Sequence, residues 1–438
     1  MNKKLFKFSS ACLCLLMALV FALAIPNTTQ AATTGKVTNV KQTFGEYYDT
    51  IHGYLIELQY TPASNAVGYT AMLSKNNVDY SFVNEGVNTS FSDKSHFYIG
   101  TNTVLTAGTT YYVKIVPCYR DTNGSLAANY DGASAPIQVV TAPKEVASSS
   151  FYQTSATTKT VTAKWGAVSG ATGYNVYVKK YGTGDWSLAG TTTSKSFTVK
   201  KMGGSKLAAD TCYSIAVCPI KKSSAGYTAE SSATGKPFYT VPNATKKVLG
   251  SWKIDSKQLT IAWANGYCVD GYELQFYNVK GKSIKKANVK ASSTAALTYT
   301  FTKAPKNSTV SVRLRSYTKT TNGKKLYSKW SSKTYFMSQA KPKSSYNSAT
   351  NQLSVKWSKV TGAKKYLVYV GTSSRSMKKV ATVGSGTTSY TFNKINGSSI
   401  NTNSRYYIKI VPQGKFGGKT IKGDYNYYLE VYWTTRYY

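Results

Sequence analysis

A chain of 438 residues with 42% hydrophobic residues is long enough for several separate cores and too apolar to be disordered. Its 55 Lys and Arg against 17 Asp and Glu leave a net charge of +38, which points to anionic partners, and two histidines leave little room for histidine-based metal or catalytic chemistry. Six cysteines without a CxxC spacing argue against both a zinc site and a disulfide framework.

The N-terminus comes first. Lys3, Lys4 and Lys7 precede an apolar run from Ala11 to Ile25, Pro26, and the small-x-small triplet Thr29-Gln30-Ala31. This is the pattern of a secretory signal peptide over 1–31, with cleavage expected after Ala31. The mature chain holds no later segment apolar and long enough to span a bilayer, and its last residues show no sortase-type signal, so an extracellular protein is expected, kept at a cell surface by non-covalent contacts. Removing the leader leaves Cys118, Cys212, Cys218 and Cys268. Cys212 and Cys218 fall on the outward face of one strand with Ser214 and Ala216, roughly 20 Å apart at about 3.3 Å per residue, too far to bridge.

Beyond the leader, an aromatic residue that closes an alternating strand is followed nine residues later by tyrosine four times: Tyr60 and Tyr69, Trp165 and Tyr174, Trp263 and Tyr272, Trp357 and Tyr366. The pairs recur after 105, 98 and 94 residues, the length of a domain rather than of a solenoid turn. Ahead of each pair the chain alternates. Ile56, Leu58 and Tyr60 face inward against Glu57 and Gln59; Val161, Ala163 and Trp165 do so in the second copy, Leu259, Ile261 and Trp263 in the third, and Leu353, Val355 and Trp357 in the fourth. The tyrosine opens a second strand of the same kind, as in Tyr174, Val176 and Val178 against Asn175 and Tyr177, so antiparallel sheets wetted on one face are expected. A later strand starts at Tyr111, Tyr213, Val310 and Tyr406, each six residues after Leu105, Leu207, Ala304 and Ile400. Asn123-Gly124 and Asn322-Gly323 read as hairpin turns after that strand. Prolines at Pro143, Pro242 and Pro342 mark boundaries, giving repeats over 35–142, 143–241, 242–338 and 339–438.

These landmarks resemble the fibronectin type III domain: a strand ending in Trp, the Gly-Tyr start of the next (Gly68-Tyr69, Gly173-Tyr174, Gly271-Tyr272), and Leu105…Gly108-Thr109-Thr110-Tyr111 leading into the late strand. The resemblance covers essentially the whole mature chain, as in repeats of a bacterial secreted or cell-surface protein. It implies an all-β chain of four tandem immunoglobulin-like (fibronectin type III-like) β-sandwiches in an extended array, each with seven strands in two sheets and a late tyrosine that bonds back to the backbone. Repeat one departs with Tyr60 in place of Trp, repeat three lacks the corner tyrosine, and repeat four has Lys365 before Tyr366.

Charge separates copies that share this frame. Lys plus Arg against Asp plus Glu runs 6 to 8 in 35–142, 12 to 4 in 143–241, 18 to 3 in 242–338 and 16 to 2 in 339–438. A module of about 100 residues near +15 repels itself, and an anionic surface explains the excess better than folding does. The expected partner is therefore an anionic cell-wall polymer or polysaccharide at the basic repeats, with a protein partner at near-neutral repeat one and no specific nucleic acid, since only six arginines are present.

Catalytic groups are sparse. Repeat three owns only Asp255, Asp270 and Glu273 and repeat four only Asp424 and Glu430, a sparse supply for the two facing carboxylates of a glycosidase-type cleft, and no G-x-S-x-G, H-E-x-x-H, P-loop or dinucleotide pattern occurs. Asp79, Glu85 and Asp93, with His52 and His96, are the one loop group that could hold a cation, and solvated surface acids are the expected reading. No catalytic, cofactor-binding or metal residue is assigned, and no cofactor is expected. The expected function is a secreted, non-enzymatic binding or scaffold protein; the alternative is a carbohydrate-binding or spacer subunit beside an extracellular hydrolase, its outward tyrosines such as Tyr177 and Tyr369 stacking on sugars.

Overall fold

A computed structural model describes residues 35–88, 95–233, 235–254, 256–423 and 427–433; the leader and its cleavage after Ala31 lie outside the described residues. Among the described residues the chain is all β apart from a 3-10 turn at Ser148–Ser150. Four times, an antiparallel three-stranded sheet is followed through the chain by an antiparallel five-stranded one. In the third copy the first sheet is Val248–Trp252, Leu259–Ala264 and Ala296–Phe301. The second has Ser283–Lys290 at its edge, then Gly271–Tyr277, then the long late strand Thr309–Lys319, which pairs on its far side with both Lys325–Tyr327 and Thr334–Met337. The seventh strand expected of such a sandwich is thus broken into two short segments in every copy.

Side-chain alternation builds each core. Leu259, Ile261 and Trp263 are buried while Thr260 and Ala262 are half-buried, and the same parity holds for Val161, Ala163 and Trp165 and for Leu353, Val355 and Trp357. Each core centres on the aromatic pair. The rings lie 5.0 Å apart in Tyr60–Tyr69 and 5.4 Å apart in Trp165–Tyr174, Trp263–Tyr272 and Trp357–Tyr366. A hydrogen bond explains the nine-residue spacing. The loop between the two strands turns back over the pair, and its N–H, three residues after the first ring, donates to the tyrosine hydroxyl: Ala63 to Tyr69 at 3.0 Å, Val168 to Tyr174 at 3.2 Å, Gly266 to Tyr272 at 2.7 Å and Val360 to Tyr366 at 2.8 Å. One residue therefore fills the core with its ring and satisfies a loop donor with its tip.

The later tyrosine makes the expected corner. Tyr111 accepts the Thr106 N–H and Tyr406 the Asn401 N–H, both at 2.9 Å. Gly124 (φ 78°) and Gly323 (φ 81°) sit in the two hairpin turns, each donating back to the residue three before it, Asp121 and Thr320.

By its contacts the chain forms two units, Met1–Leu207 with Cys212–Phe238, and Ala208–Thr211 with Tyr239–Tyr438. In the first unit the loop before the late strand of the first sandwich meets the Val168–Gly173 loop of the second. Gly108 (φ 60°) and Gly170 (φ 76°) touch there, and a Cβ on Gly170 would lie 2.1 Å from the Gly108 carbonyl oxygen. Gln42 reinforces this side, accepting from the Val140 N–H at 2.9 Å and donating to its carbonyl at 2.6 Å. The second unit joins its last two sandwiches through the same positions: Thr309 N–H donates to Thr361 O at 3.0 Å, Thr361 N–H to Asn307 O at 2.8 Å, and Gly362 adopts φ 97° against the Thr309 hydroxyl. Pro342, rather than standing between sheets, is the first residue of strand Pro342–Asn347 and pairs with Trp357, a place where its missing N–H costs nothing.

Parity holds along the late strand of the second sandwich, whose Tyr213, Ile215 and Val217 enter the core, but its other face is not open. Ser214, Ala216 and Cys218 are buried there, Cys218 being 2% exposed. Burial pushes the Cys218 thiol well up, and the neighbouring Glu230 carboxylate pushes it further. The late strand of the second sandwich is covered on both faces.

Candidate anion-binding face

The outer face of the five-stranded sheet in the third sandwich carries a constellation found nowhere else among the described residues. Its origin is the broken last strand. Ser328 N–H donates to Ser316 O at 2.9 Å and its hydroxyl accepts the Ser316 N–H at 3.0 Å; Ser331 N–H donates to Leu314 O at 2.8 Å and its hydroxyl accepts the Leu314 N–H at 3.0 Å. Serine hydroxyls take the place of strand carbonyls, and Trp330, in the two-residue step between them, stands over the face. On the late strand Val312 and Leu314 point into the core, so Arg313 and Arg315 point out beneath that indole.

Cations and rings then alternate. Lys333 lies 4.2 Å from the Tyr277 ring centre, Arg313 5.4 Å from Tyr277 and 4.6 Å from Trp330, Arg315 4.6 Å from Trp330 and 3.9 Å from Tyr327, and Lys325 4.2 Å from Tyr317. Each such contact is worth about 0.5–1 kcal/mol when exposed and about 2 kcal/mol when desolvated, so the series fixes side chains that lysine-rich surfaces normally leave free.

The two arginines differ in their partners. Arg315 donates through Nε at 2.9 Å and Nη2 at 2.7 Å to one oxygen of Glu273, whose other oxygen accepts the Tyr327 hydroxyl at 2.8 Å. Burial pushes the Glu273 carboxyl up, but the hydrogen bonds from Arg315 and Tyr327 and the charges of Arg315 and Lys325 outweigh it and hold the group below its ordinary value. Arg313 has no carboxylate among the described residues. Its Nη2 donates to the neutral Gln275 Oε1 at 3.0 Å, and its Nε is buried without a hydrogen-bond partner.

Register sets these groups in rows across the sheet. Gln275 pairs with Arg313 on one side and Lys286 on the other, and Lys333 directly precedes Thr334, the partner of Val312; that row holds three cations and no acid. The next row holds Arg315, Glu273 and Asn288 and is neutral, and at the hairpin end Lys319 stands directly opposite Lys325, a like-charge pair that weakens a sheet. Of the acids in 242–438, Asp270 takes the Lys319 N–H and the Thr318 hydroxyl, Glu273 is held by Arg315, and Glu430 accepts from Arg405 at 3.1 Å and Tyr407 at 3.2 Å. Asp255 and Asp424 lie outside the described residues. Some lysines have a simpler use: Lys285 and Lys290 on edge strand Ser283–Lys290, and Lys378 and Lys379 on edge strand Lys378–Gly384, discourage edge-to-edge pairing.

The described loop acids of the first sandwich each hold partners of their own. Glu85 caps the Gly100, Asn102 and Thr103 N–H groups at 2.7, 3.2 and 3.0 Å, Asp79 accepts from Asn76, and His52 pairs with Asp49 at 2.8 Å; Asp93 lies outside the described residues. No group of three or more potential ligands that could hold a metal occurs among the described residues. Tyr177 and Tyr369 are half-buried, not open platforms for a sugar ring, and burial together with the bond to Glu230 pushes the Tyr177 phenol well up. Composition does not announce the arginine face, because a low arginine count bears on base readout and not on where the few arginines stand. The signal present was two of six arginines at i, i+2 on a strand of known parity, with a tryptophan outside the core frame.

No protein-family model matches the chain, and no curated protein matches it. Among solved structures it is similar to the FN1–FN3 domains of chicken CNTN1, at 13% identity over 69% of this chain and 98% of that one with a TM-score of 0.24. It is also similar to a segment of two fibronectin type III domains from chicken tenascin, at 18% identity over 45% of this chain and 99% of that one with a TM-score of 0.26. The sandwich assignment rests on the strand pairing itself.

Proposed function

We propose that the chain is a secreted, non-enzymatic scaffold of four fibronectin type III-like modules, with limits at 35–142, 143–241, 242–338 and 339–438, as in bacterial cell-surface proteins. Its basic modules over 242–438 associate electrostatically with an anionic cell-wall polymer or polysaccharide, while 35–142 meets a protein partner. The observation that carries the reading is the charge of 242–438, 34 basic against 5 acidic residues, together with the internal hydrogen bonding of every described acid there. Carboxylates already held by Arg315, Arg405 and the Lys319 backbone do little to neutralise the lysines, so the counter-charge has to come from outside the chain. Support for export comes from the leader pattern at 1–31, and for a different partner at 35–142 from its near-neutral balance of 6 basic against 8 acidic residues.

The test is co-sedimentation of the purified mature chain with isolated cell walls over a NaCl series. Binding that is strong at low salt and lost by moderate salt is the expected result. Salt-insensitive binding competed by neutral sugars would favour a glycan-binding accessory instead, and absence of binding at low salt would overturn the electrostatic reading.

A further inference from the structure

The geometry points to a specific oxyanion site on the third sandwich: the Arg313 guanidinium and the Lys333 ammonium, with Lys286 across the sheet, take the phosphate groups of a linear phosphodiester polymer. This deepens the electrostatic reading and rests on it.

Three observations place the site there rather than anywhere along the basic surface. Arg313 and Lys333 both lie over the Tyr277 ring, at 5.4 and 4.2 Å, so two positive charges converge on one side chain with no described carboxylate between them. The Arg313 Nε is buried and unpartnered, which makes this cation partly desolvated and correspondingly responsive to an anion. Contacts to Trp330 and Gln275 fix the guanidinium in place, so little rotamer entropy is lost when a ligand arrives.

Phosphate fits this arrangement better than carboxylate does, and the same sheet shows why. Arg315 engages the Glu273 carboxylate side-on, through Nε and Nη2 together. Arg313 has no open Nε for such a side-on contact and offers its terminal Nη hydrogens, with the Lys333 ammonium beside it over Tyr277. A tetrahedral phosphodiester shares its one negative charge between two diverging oxygens, one facing each cation. A polymer running across the strands passes over Gln275 to Lys286, two strands away and roughly 10 Å from Arg313 at about 4.8 Å per strand.

The experiment is a titration of the full mature chain with a purified glycerol phosphate polymer, read by calorimetry over a salt series, with polygalacturonate of matched length as the carboxylate probe. Arg313→Gln with Lys333→Gln should lower affinity for the phosphate polymer at least tenfold and reduce the slope of log K against log salt by about 0.7, the value for one phosphate contact on a flexible single chain. Lys378→Gln with Lys379→Gln removes the same charge from the fourth sandwich and should change affinity less than threefold. Arg313→Lys keeps the charge and should preserve the slope while weakening affinity, and the near-ultraviolet circular dichroism of each variant shows whether the face is intact. Equal losses in the two double variants would overturn the site while leaving the electrostatic reading standing. Equal affinity for polygalacturonate would overturn the phosphate assignment. Failure of the unmodified chain to bind either polymer at low salt would remove the electrostatic reading and the site with it.

Discussion

Tyr366→Phe isolates the hydroxyl that explains the nine-residue spacing. The Trp357–Tyr366 ring contact, at 5.4 Å and 59°, needs no hydroxyl and should survive the change. What is lost is the acceptor for the Val360 N–H, at 2.8 Å, and Val360 is fully buried, so water cannot take over. A buried donor left unsatisfied costs about 1–3 kcal/mol. Tyr406→Phe is the internal comparison: its hydroxyl accepts the Asn401 N–H at nearly the same distance, 2.9 Å, but Asn401 is exposed and its N–H can turn to solvent. That change should cost about 1 kcal/mol or less, the usual net value of a hydrogen bond. Native-state hydrogen exchange by mass spectrometry, read on peptides covering 353–370 and 400–416, measures both without assuming that the whole chain unfolds in one step. A cost for Tyr366→Phe equal to or smaller than that of Tyr406→Phe would refute the assignment of the frame to this bond.

Gly170→Ala would press a Cβ to 2.1 Å from the Gly108 carbonyl oxygen at φ 76°, whereas Gly182→Ala, at φ 75°, meets open space; the second should cost about 1–2 kcal/mol for left-handed backbone alone and the first clearly more, by thermal denaturation. Burial pushes the phenols of Tyr69, Tyr272 and Tyr366 above their ordinary value of 10, so the stability they lend is complete below pH 10 and is lost as pH rises past it. A spectrophotometric titration should accordingly show their ionisation lagging that of exposed tyrosines and coinciding with unfolding. Cys118 and Cys218 are buried with thiols pushed upward by desolvation, and should resist a thiol reagent at pH 8 until urea is added; modification at the rate of a free thiol would contradict the packing of both late strands.

Much of the fold was legible because its determinants are local. Period-two alternation, a ring at each strand end and a glycine in each hairpin fix where strands run, and the interval between copies gives their number. The reason for the nine-residue interval was not legible, since it depends on a loop N–H folding back onto a side chain. Parity also predicts only that a side chain leaves its own core: Cys218 leaves it and is buried again beside Glu230. The candidate face was half-visible. Strand parity places Arg313 and Arg315 outward, but that Trp330 stands between them follows from Ser328 and Ser331 replacing strand carbonyls, a substitution of partners that no spacing announces.

If the basic modules over 242–438, and not total charge, hold the chain to an anionic wall polymer, the position of the lost lysines decides binding. Two variants of equal net charge test it directly by their affinity for isolated cell walls at low salt: one replaces the exposed Lys280, Lys285, Lys286, Lys378, Lys379 and Lys394 with glutamine, the other the exposed Lys36, Lys75, Lys144, Lys195, Lys200 and Lys201. The first should lose most of its binding and much of its salt dependence while the second stays close to the unmodified chain; equal losses in the two would mean that total charge alone sets the affinity.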